Sequence, residues 1–199
     1  VKVSVIGARI PKDGEEISFF PKMHGLSEQA IDQAGIRMAS VQPTALVKHL
    51  SFMNPVVYTG GNGDLYLPIG DTMGMSFVDY RDVAALLVAI AEDPDREATH
   101  TGKRYPLTGP VAATTAQIAG WMSAAGRQDI TGHSDMAAYE ARALEVLGEK
   151  SPLAIVYAEG AKGHFAQIQG QEDFLRIVGR KTGSIARYIM DRSALYGKR

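Results

Sequence analysis

The sequence predicts an α/β fold in which a parallel sheet is followed by a smaller, mostly helical lobe. A β-branched strand over residues 1–6, a helix stopped by Gly35 and a second strand follow one another through short connections. This order is typical of a parallel βαβ unit. A strongly periodic helix (residues 79–94) and another strand come next, and the segments after residue 110 are mostly helical. We therefore expect residues 1–110 and 111–199 to form two domains.

Local patterns predict each element and its ends. The first helix shows an apolar face of Leu26, Ala30, Ile31 and Ala34. Helix caps are expected at Asp79, Ser134 and Ser184 and in the pair Thr114 and Gln117. In chain order the predicted elements are strand 1–6, helix 25–33, strand 36–41, a short helix within 44–54, a glycine-rich hairpin, strand 75–78, helix 79–94, strand 103–109, and helices 116–126, 136–148, 153–168, 171–179 and 185–195.

Composition excludes several classes of function. The net charge is −1, so no overall field favours nucleic acid or an anionic membrane. The chain has no cysteine, which excludes disulfides, thiolate catalysis and cysteine-ligated metals. No apolar run approaches the roughly 20 residues of a spanning helix, and the histidines fall at no metal-ligand spacing. We expect a cytoplasmic protein without a metal, and no nucleic-acid or membrane partner.

A glycine-rich phosphate-binding turn is not found in the sequence. The glycines of GGNG (60–63) lead into a hairpin pattern rather than a helix, and Gly7 and Gly14 are too far apart. No G-x-x-x-x-G-K-[ST] motif occurs. The sequence therefore predicts no cradle for a pyrophosphate within these 199 residues.

Six segments occur in the order of a known family: VSVIGA, FFPKMHGLSEQAIDQAGI, VQPTALVKHL, MSFVDYRDVAALLVAIAEDP, GKRYPLTGP and FLRIVGRKTGSIARYIMDR. Together they resemble the C-terminal two-thirds of the NmrA-like proteins, which are atypical short-chain dehydrogenase/reductases. The resemblance implies the C-terminal part of a Rossmann-like parallel sheet with a mostly helical substrate lobe. It also implies NADP or NAD as the cofactor and a small-molecule electron acceptor as the partner.

The first strand, from Val1 to Ile6, would be an exposed apolar edge if nothing paired with it, and natural proteins avoid such edges. Family members carry earlier strands, including the glycine fingerprint, before the strand that VKVSVIGA matches. We therefore expect a partner strand from an N-terminal half that was lost, was cleaved or is supplied by another chain. A homo-oligomer is a further expectation.

The resemblance places three residues at the positions of a serine, a tyrosine and a lysine that reduce carbonyls in the wider superfamily. Ser4 matches the serine, Phe20 the tyrosine and His24 the lysine. Phe20 has no proton to give, so the acid of the standard mechanism is absent. Three readings of His24 remain open: a helix N-terminal residue with one hydrogen bond, a contact to the nicotinamide ribose, or a proton donor. We take Ser4 and His24 as the catalytic candidates.

Further candidates surround this pair. An apolar acceptor pocket is expected from Phe19, Phe20 and Met23, although Phe20 fits a core position equally well. Simpler readings stand beside these: a buried small polar residue for Ser4, an exposed lysine for Lys22, and a strand-ending proline for Pro43. Asp79, Arg81 and Asp82 are interpreted as a cap with surface ion pairs. The expected cofactor-binding residues are Ser4, Ile6, Lys22, His24, Pro43 and Thr44.

Two functions from different classes follow from these residues. The first is an NAD(P)H-dependent oxidoreductase acting on quinones or similar electrophiles, whose reduction does not require the tyrosine. The second is a non-catalytic dinucleotide sensor, which the phenylalanine at position 20 favours. A third reading, an incomplete pseudo-domain without a ligand, would follow if nothing packs beside the first strand.

Overall fold

The computed structural model describes residues 1–50, 56–57, 63–69, 74–126, 128–148 and 168–195. The strands are β1 (Lys2–Val3), β2 (Ser40–Pro43), β3 (Asp64–Tyr66), β4 (Met75–Ser76), β5 (Arg104–Leu107), β6 (Ala112–Ala113) and β7 (Thr131–His133). The helices are α1 (Phe19–Gln33), α2 (Tyr80–Glu92), α3 (Arg96–His100), α4 (Thr115–Gly126), α5 (Met136–Leu147), α6 (Gln171–Val178) and α7 (Ile185–Asp191), with 3₁₀ turns at Val47–Leu50 and Ser193–Leu195. The helix predicted over 153–168 lies outside the described residues except for its last residue.

The main sheet is parallel and has the strand order β1-β2-β5, which confirms the predicted α/β fold class. Pairing continues past the end of β1, because the Ser4 N–H donates to the Val41 carbonyl at 2.7 Å. The second strand was predicted over 36–41, but β2 begins only at Ser40. Residues 36–39 connect it to α1, and the Ala39 carbonyl already accepts from the Lys2 N–H at 2.8 Å.

One face of this sheet carries an apolar core. Val41 on β2 and Tyr105 and Leu107 on β5 are buried there against α2 and α6. Phe174 of α6 is fully buried in the same cluster. Burial of such side chains contributes roughly 1.5–3 kcal/mol each, so this face holds the sheet and two helices together.

The opposite face is covered by α1, and here two predictions are wrong. The helix begins at Phe19 rather than near Gly25, since Pro21 falls within the first turn, where a missing N–H is not needed. The predicted apolar face is not buried either: Leu26 is 46% exposed, whereas Gly25 and Glu28 are buried. Gly25 sets this rotation because it lies against the backbone of Arg9.

A second core lies beside the main sheet. It is built around two small sheets, in which β3 pairs with β7 in parallel and β4 pairs with β6 antiparallel. The partner of β3 comes from more than 60 residues away, and the Tyr66 N–H also donates to the Val57 carbonyl at 2.7 Å. The predicted glycine-rich hairpin lies partly outside the described residues and stays a prediction. The core combines Leu65 and Phe77 with Ile118 and Tyr188. This core contains residues from both sides of residue 110. The division into domains 1–110 and 111–199 stays a prediction.

Three of the predicted caps are confirmed and one is displaced. Asp79 accepts from the Arg81 N–H at 2.9 Å, and Ser184 accepts from the Arg187 N–H at 3.2 Å. The Thr114 N–H donates to Gln117 Oε1 at 2.9 Å, and the Gln117 N–H donates back to Thr114 Oγ1 at 3.3 Å. On α5 the cap is Asp135 instead of Ser134, because its carboxylate accepts from the Ala138 N–H at 2.7 Å.

This displaced cap gives a simple prediction. Asp135→Ala should lower the free energy of unfolding by about 1 kcal/mol, because an N-terminal amide of α5 loses its acceptor. Asp135→Ser should retain most of that stability, since a serine hydroxyl can accept the same bond. Urea unfolding of the two variants measures both values, and equal losses would show that the cap does not act through this bond.

Among the described residues, no helix combines the length and apolar character needed to cross a membrane.

Candidate functional site

The face of the main sheet that meets α1 is polar. Lys2, Ser40 and Arg104 lie in register on the three strands. Lys2 Nζ lies 3.1 Å from Nδ1 of His24, and Arg104 Nη2 lies 3.1 Å from Oε2 of Glu28. Because both contacts are to α1, this row of side chains points toward the helix.

Two residues farther along the strands, the same face continues with Ser4 and Gln42, since side chains alternate along a strand. Both are buried, and so is Thr44, two residues beyond Gln42. We call Ser4, Glu28, Ser40, Gln42 and Thr44 the polar layer. Within the part of the chain that the structure describes, six atoms of this layer find no hydrogen-bond partner: Ser4 Oγ, Glu28 Oε1 and Oε2, Ser40 Oγ, Gln42 Nε2 and Thr44 Oγ1.

Buried polar atoms without partners are rare in folded proteins, because each costs about 1–3 kcal/mol. Here the unpartnered atoms all belong to one layer on one side of the main sheet. The other side of the sheet is packed with buried apolar side chains. A polar ligand in this layer would satisfy them, so the layer is the best candidate for a binding site.

The carboxyl edge of the sheet brings together four of the predicted cofactor-binding residues. The Ile6 N–H donates to the Pro43 carbonyl at 3.2 Å, and the Thr44 N–H donates to the Leu107 carbonyl at 3.0 Å. Ser4 lies two residues before Ile6 on the same strand. Ligands of open parallel sheets bind outside this edge, and the cofactor-binding role of these four residues stays a prediction.

His24 is half-buried on α1, beside β1. Burial lowers the pKa of His24, the Lys2 ammonium lowers it further, and Glu28 acts in the opposite direction. The imidazole therefore favours its neutral form. Since α1 starts five residues before His24, the side chain belongs to the second turn and does not cap the helix.

Glu28 lies one turn beyond His24 and is only 3% exposed. Its Oε2 forms an ion pair with Arg104 that lacks hydrogen-bond geometry. Glu28 and Ser40 line a cleft of about 710 Å³ between α1 and the amino ends of β2 and β5.

The remaining predicted residues lie at the start of α1. Phe19 and Met23 are about half exposed, Lys22 is exposed, and Phe20 is half-buried. The rings of Phe19 and Phe20 meet edge to face with their centroids 5.6 Å apart. Together with Met23 they form an apolar surface at the start of α1, and their role in acceptor binding stays a prediction.

The pair of aspartates on α2 is structural. Asp79 caps the helix and binds Arg81, as predicted. Asp82 was interpreted as a surface residue, but it is buried, where Oδ2 accepts from the Gly183 N–H at 2.7 Å and Oδ1 pairs with Arg180. Asp82 thus ties α2 to the connection between α6 and α7. Among the described residues, no three acidic or histidine side chains could hold a metal ion.

Comparison with models of protein families finds no match. The chain is 24% identical over 177 residues to the NAD(P)H azoreductase of Xenophilus azovorans, an alignment that covers 87% of this chain and 59% of the azoreductase. The chain thus spans about three-fifths of the length of that curated relative.

Solved structures share the fold. The NADPH complex of the Escherichia coli quinone oxidoreductase QOR2 matches with a TM-score of 0.71 and 18% identity, covering 95% of this chain and 63% of the other. The negative transcriptional regulator NmrA, in complex with NAD, matches with a TM-score of 0.60 and 15% identity, covering 88% of this chain and 58% of the other. The chain therefore shares the fold of these two proteins. The NmrA-like resemblance and the Rossmann-like fold class that it implied are confirmed.

Within this NmrA-like fold the structure adds residues that sequence reasoning missed. Lys2 contacts His24, and Glu28, Ser40 and Gln42 complete the polar layer. One signal was available: Ser40 and Gln42 are polar at alternate positions of a buried strand, where apolar residues are usual. Glu28 gave no signal, because a glutamate on a helix is ordinarily exposed.

Proposed function

We propose that this chain forms the nicotinamide-binding and acceptor-binding part of an NAD(P)H-dependent reductase that acts on quinones, azo compounds or similar electrophiles. The polar layer supports the proposal most directly, because the unpartnered buried atoms of Ser4, Gln42 and Thr44 lie toward the carboxyl edge of a parallel sheet. The NADPH complex with the same fold and the azoreductase that aligns with 87% of the chain support the same reaction class.

The residues at this edge fit a nicotinamide nucleotide. Ser4 Oγ and Thr44 Oγ1 can each exchange hydrogen bonds with a ribose hydroxyl or a carboxamide. Gln42 Nε2 can donate to a carbonyl oxygen. The bound cofactor would supply a hydride, while these side chains fix the orientation of its ring end.

The acceptor would lie against the apolar surface of Phe19, Phe20 and Met23. None of these side chains can donate a proton, so a carbonyl substrate that needs the tyrosine acid is disfavoured. Quinones and azo compounds suit this surface better, because solvent can deliver their protons.

The alternative is a non-catalytic NAD(P) sensor. The phenylalanine at position 20 favours it, and the regulator NmrA shares the fold. A sensor would bind the same nucleotide at the same layer but would transfer no hydride.

An absorbance assay of the reduced nicotinamide distinguishes the reductase from the sensor, because only a reductase oxidises it. We expect the chain to oxidise NADPH, and also reduced nicotinamide mononucleotide, when a short quinone or an azo dye is added. The mononucleotide needs no pyrophosphate cradle, so it tests the nicotinamide end alone. Thr44→Val should lower kcat/KM about tenfold or less, since a neutral hydrogen bond contributes about 0.5–1.5 kcal/mol.

Ser27→Ala is the matched control for these assays, because Ser27 is exposed on α1 and contributes nothing to the polar layer. Its kcat/KM should equal that of the unmodified chain. Saturable nucleotide binding without turnover would establish the sensor instead, and absence of nucleotide binding would refute both functions.

A further inference from the structure

We propose that Lys2 is a positioning residue, which holds His24 as the neutral Nε2–H tautomer so that His24 acts as a hydrogen-bond donor and not as a proton-donating imidazolium. The inference rests on the proposed function for the role of the donated bond. The tautomer itself depends only on the contact between the two side chains.

The contact fixes which nitrogen carries the proton. Lys2 Nζ lies 3.1 Å from Nδ1 of His24, and an ammonium group can donate but cannot accept. Nδ1 must therefore accept, and a neutral imidazole then carries its proton on Nε2. A second bond, from Nζ to the Val3 carbonyl at 3.3 Å, holds the ammonium against β1.

The surrounding charges oppose a second proton on the ring. Lys2 faces His24 from β1 at hydrogen-bond distance, and Glu28 faces it from the next turn of α1. The influence of Glu28 is weakened because its carboxylate already pairs with Arg104 of β5. Burial and Lys2 together lower the pKa of His24 against the opposing effect of Glu28.

Of the three readings of His24, this arrangement disfavours the proton donor and retains a neutral side chain that donates a hydrogen bond. A proton donor would need the imidazolium near neutral pH, which the adjacent ammonium disfavours. A neutral Nε2–H can still donate a hydrogen bond to a ribose hydroxyl or to an acceptor oxygen. Its strength would then stay constant while pH varies above the range in which His24 titrates.

Selective ¹⁵N labelling of histidine tests the inference without any enzyme assay. The long-range ¹H–¹⁵N spectrum of the 199-residue chain should show His24 as the Nε2–H tautomer at neutral pH. Lys2→Met should raise the pKa of His24, because the burial effect remains but the repelling charge is gone. It should also admit the Nδ1–H tautomer. Lys2→Arg should preserve the pattern, since a guanidinium likewise only donates.

Lys12→Met is the matched control, because it removes one positive charge from an exposed loop position that does not contact His24. It should leave the tautomer and the pKa of His24 unchanged. An Nδ1–H tautomer in the unmodified chain would overturn the inference, and so would identical His24 titrations for Lys2→Met and the unmodified chain. The unmodified chain gives an answer even if Lys2→Met does not fold. Failure of nucleotide binding with the Nε2–H tautomer present would refute only the proposed function.

Discussion

Gly170→Ala is expected to lower the free energy of unfolding by about 3 kcal/mol or more. Gly170 precedes α6 with a φ of +74°, a conformation that disfavours any side chain. A Cβ there would also lie 1.7 Å from the carbonyl oxygen of Pro106 on β5. The backbone of α6 or of β5 would have to move, and the fully buried Phe174 would move with it.

Gly179→Ala is the matched control for this substitution. Gly179 ends the same helix with a φ of +78°, but a Cβ there meets no atom within 4 Å. It should cost only the conformational penalty of about 1 kcal/mol. Urea unfolding of both variants measures the difference, and equal losses would show that Gly170 does not lie tightly against β5.

Gly25→Ala is expected to lower kcat/KM with reduced nicotinamide mononucleotide by tenfold or more. Gly25 follows His24 on α1, and a Cβ there would lie 2.3 Å from the carbonyl carbon and oxygen of Arg9. The helix must therefore shift away from the loop that follows β1, and His24 moves with it. Displacements of about 1 Å can cost catalysis as much as a hundredfold.

Gly120→Ala separates this displacement from a general effect of glycine replacement. Gly120 also lies inside a helix, α4, but a Cβ there meets no atom within 4 Å. It should raise the free energy of unfolding by up to about 1 kcal/mol through helix propensity, with unchanged kcat/KM. Wild-type kcat/KM for Gly25→Ala would contradict the placement of the site between α1 and the sheet.

Local patterns sufficed wherever neighbouring residues determine the structure. The strand around Tyr105, the capping pair Thr114 and Gln117 and the stop at Gly179 all depend on residues within one turn or one strand. Ser134 and Asp135 are adjacent, and either side chain could accept the capping bond. The backbone geometry at the start of α5 makes Asp135 the cap. Such shifts by one residue are expected at helix ends.

Long-range contacts decided the features that the sequence did not predict. The buried face of α1 depends on how Gly25 meets Arg9, and the parallel pair of β3 and β7 joins distant segments. The polar layer depends on the register of β1, β2 and β5, which brings Ser40 and Gln42 opposite α1. The spacing of Phe20 and His24 could be read from the sequence, but the contact of Lys2 with Nδ1 of His24 could not.

Titration of the ¹⁵N-labelled chain with reduced nicotinamide mononucleotide tests the central claim most directly. The account predicts saturable shifts of the amide signals of Ser4, Gln42 and Thr44 and of the His24 ring, and no comparable shifts on the opposite face around Phe174. Adenosine 2′,5′-bisphosphate, which lacks the nicotinamide, should shift none of these signals at the same concentration. Binding that leaves the polar layer unshifted, or equal shifts with both nucleotides, would contradict the account.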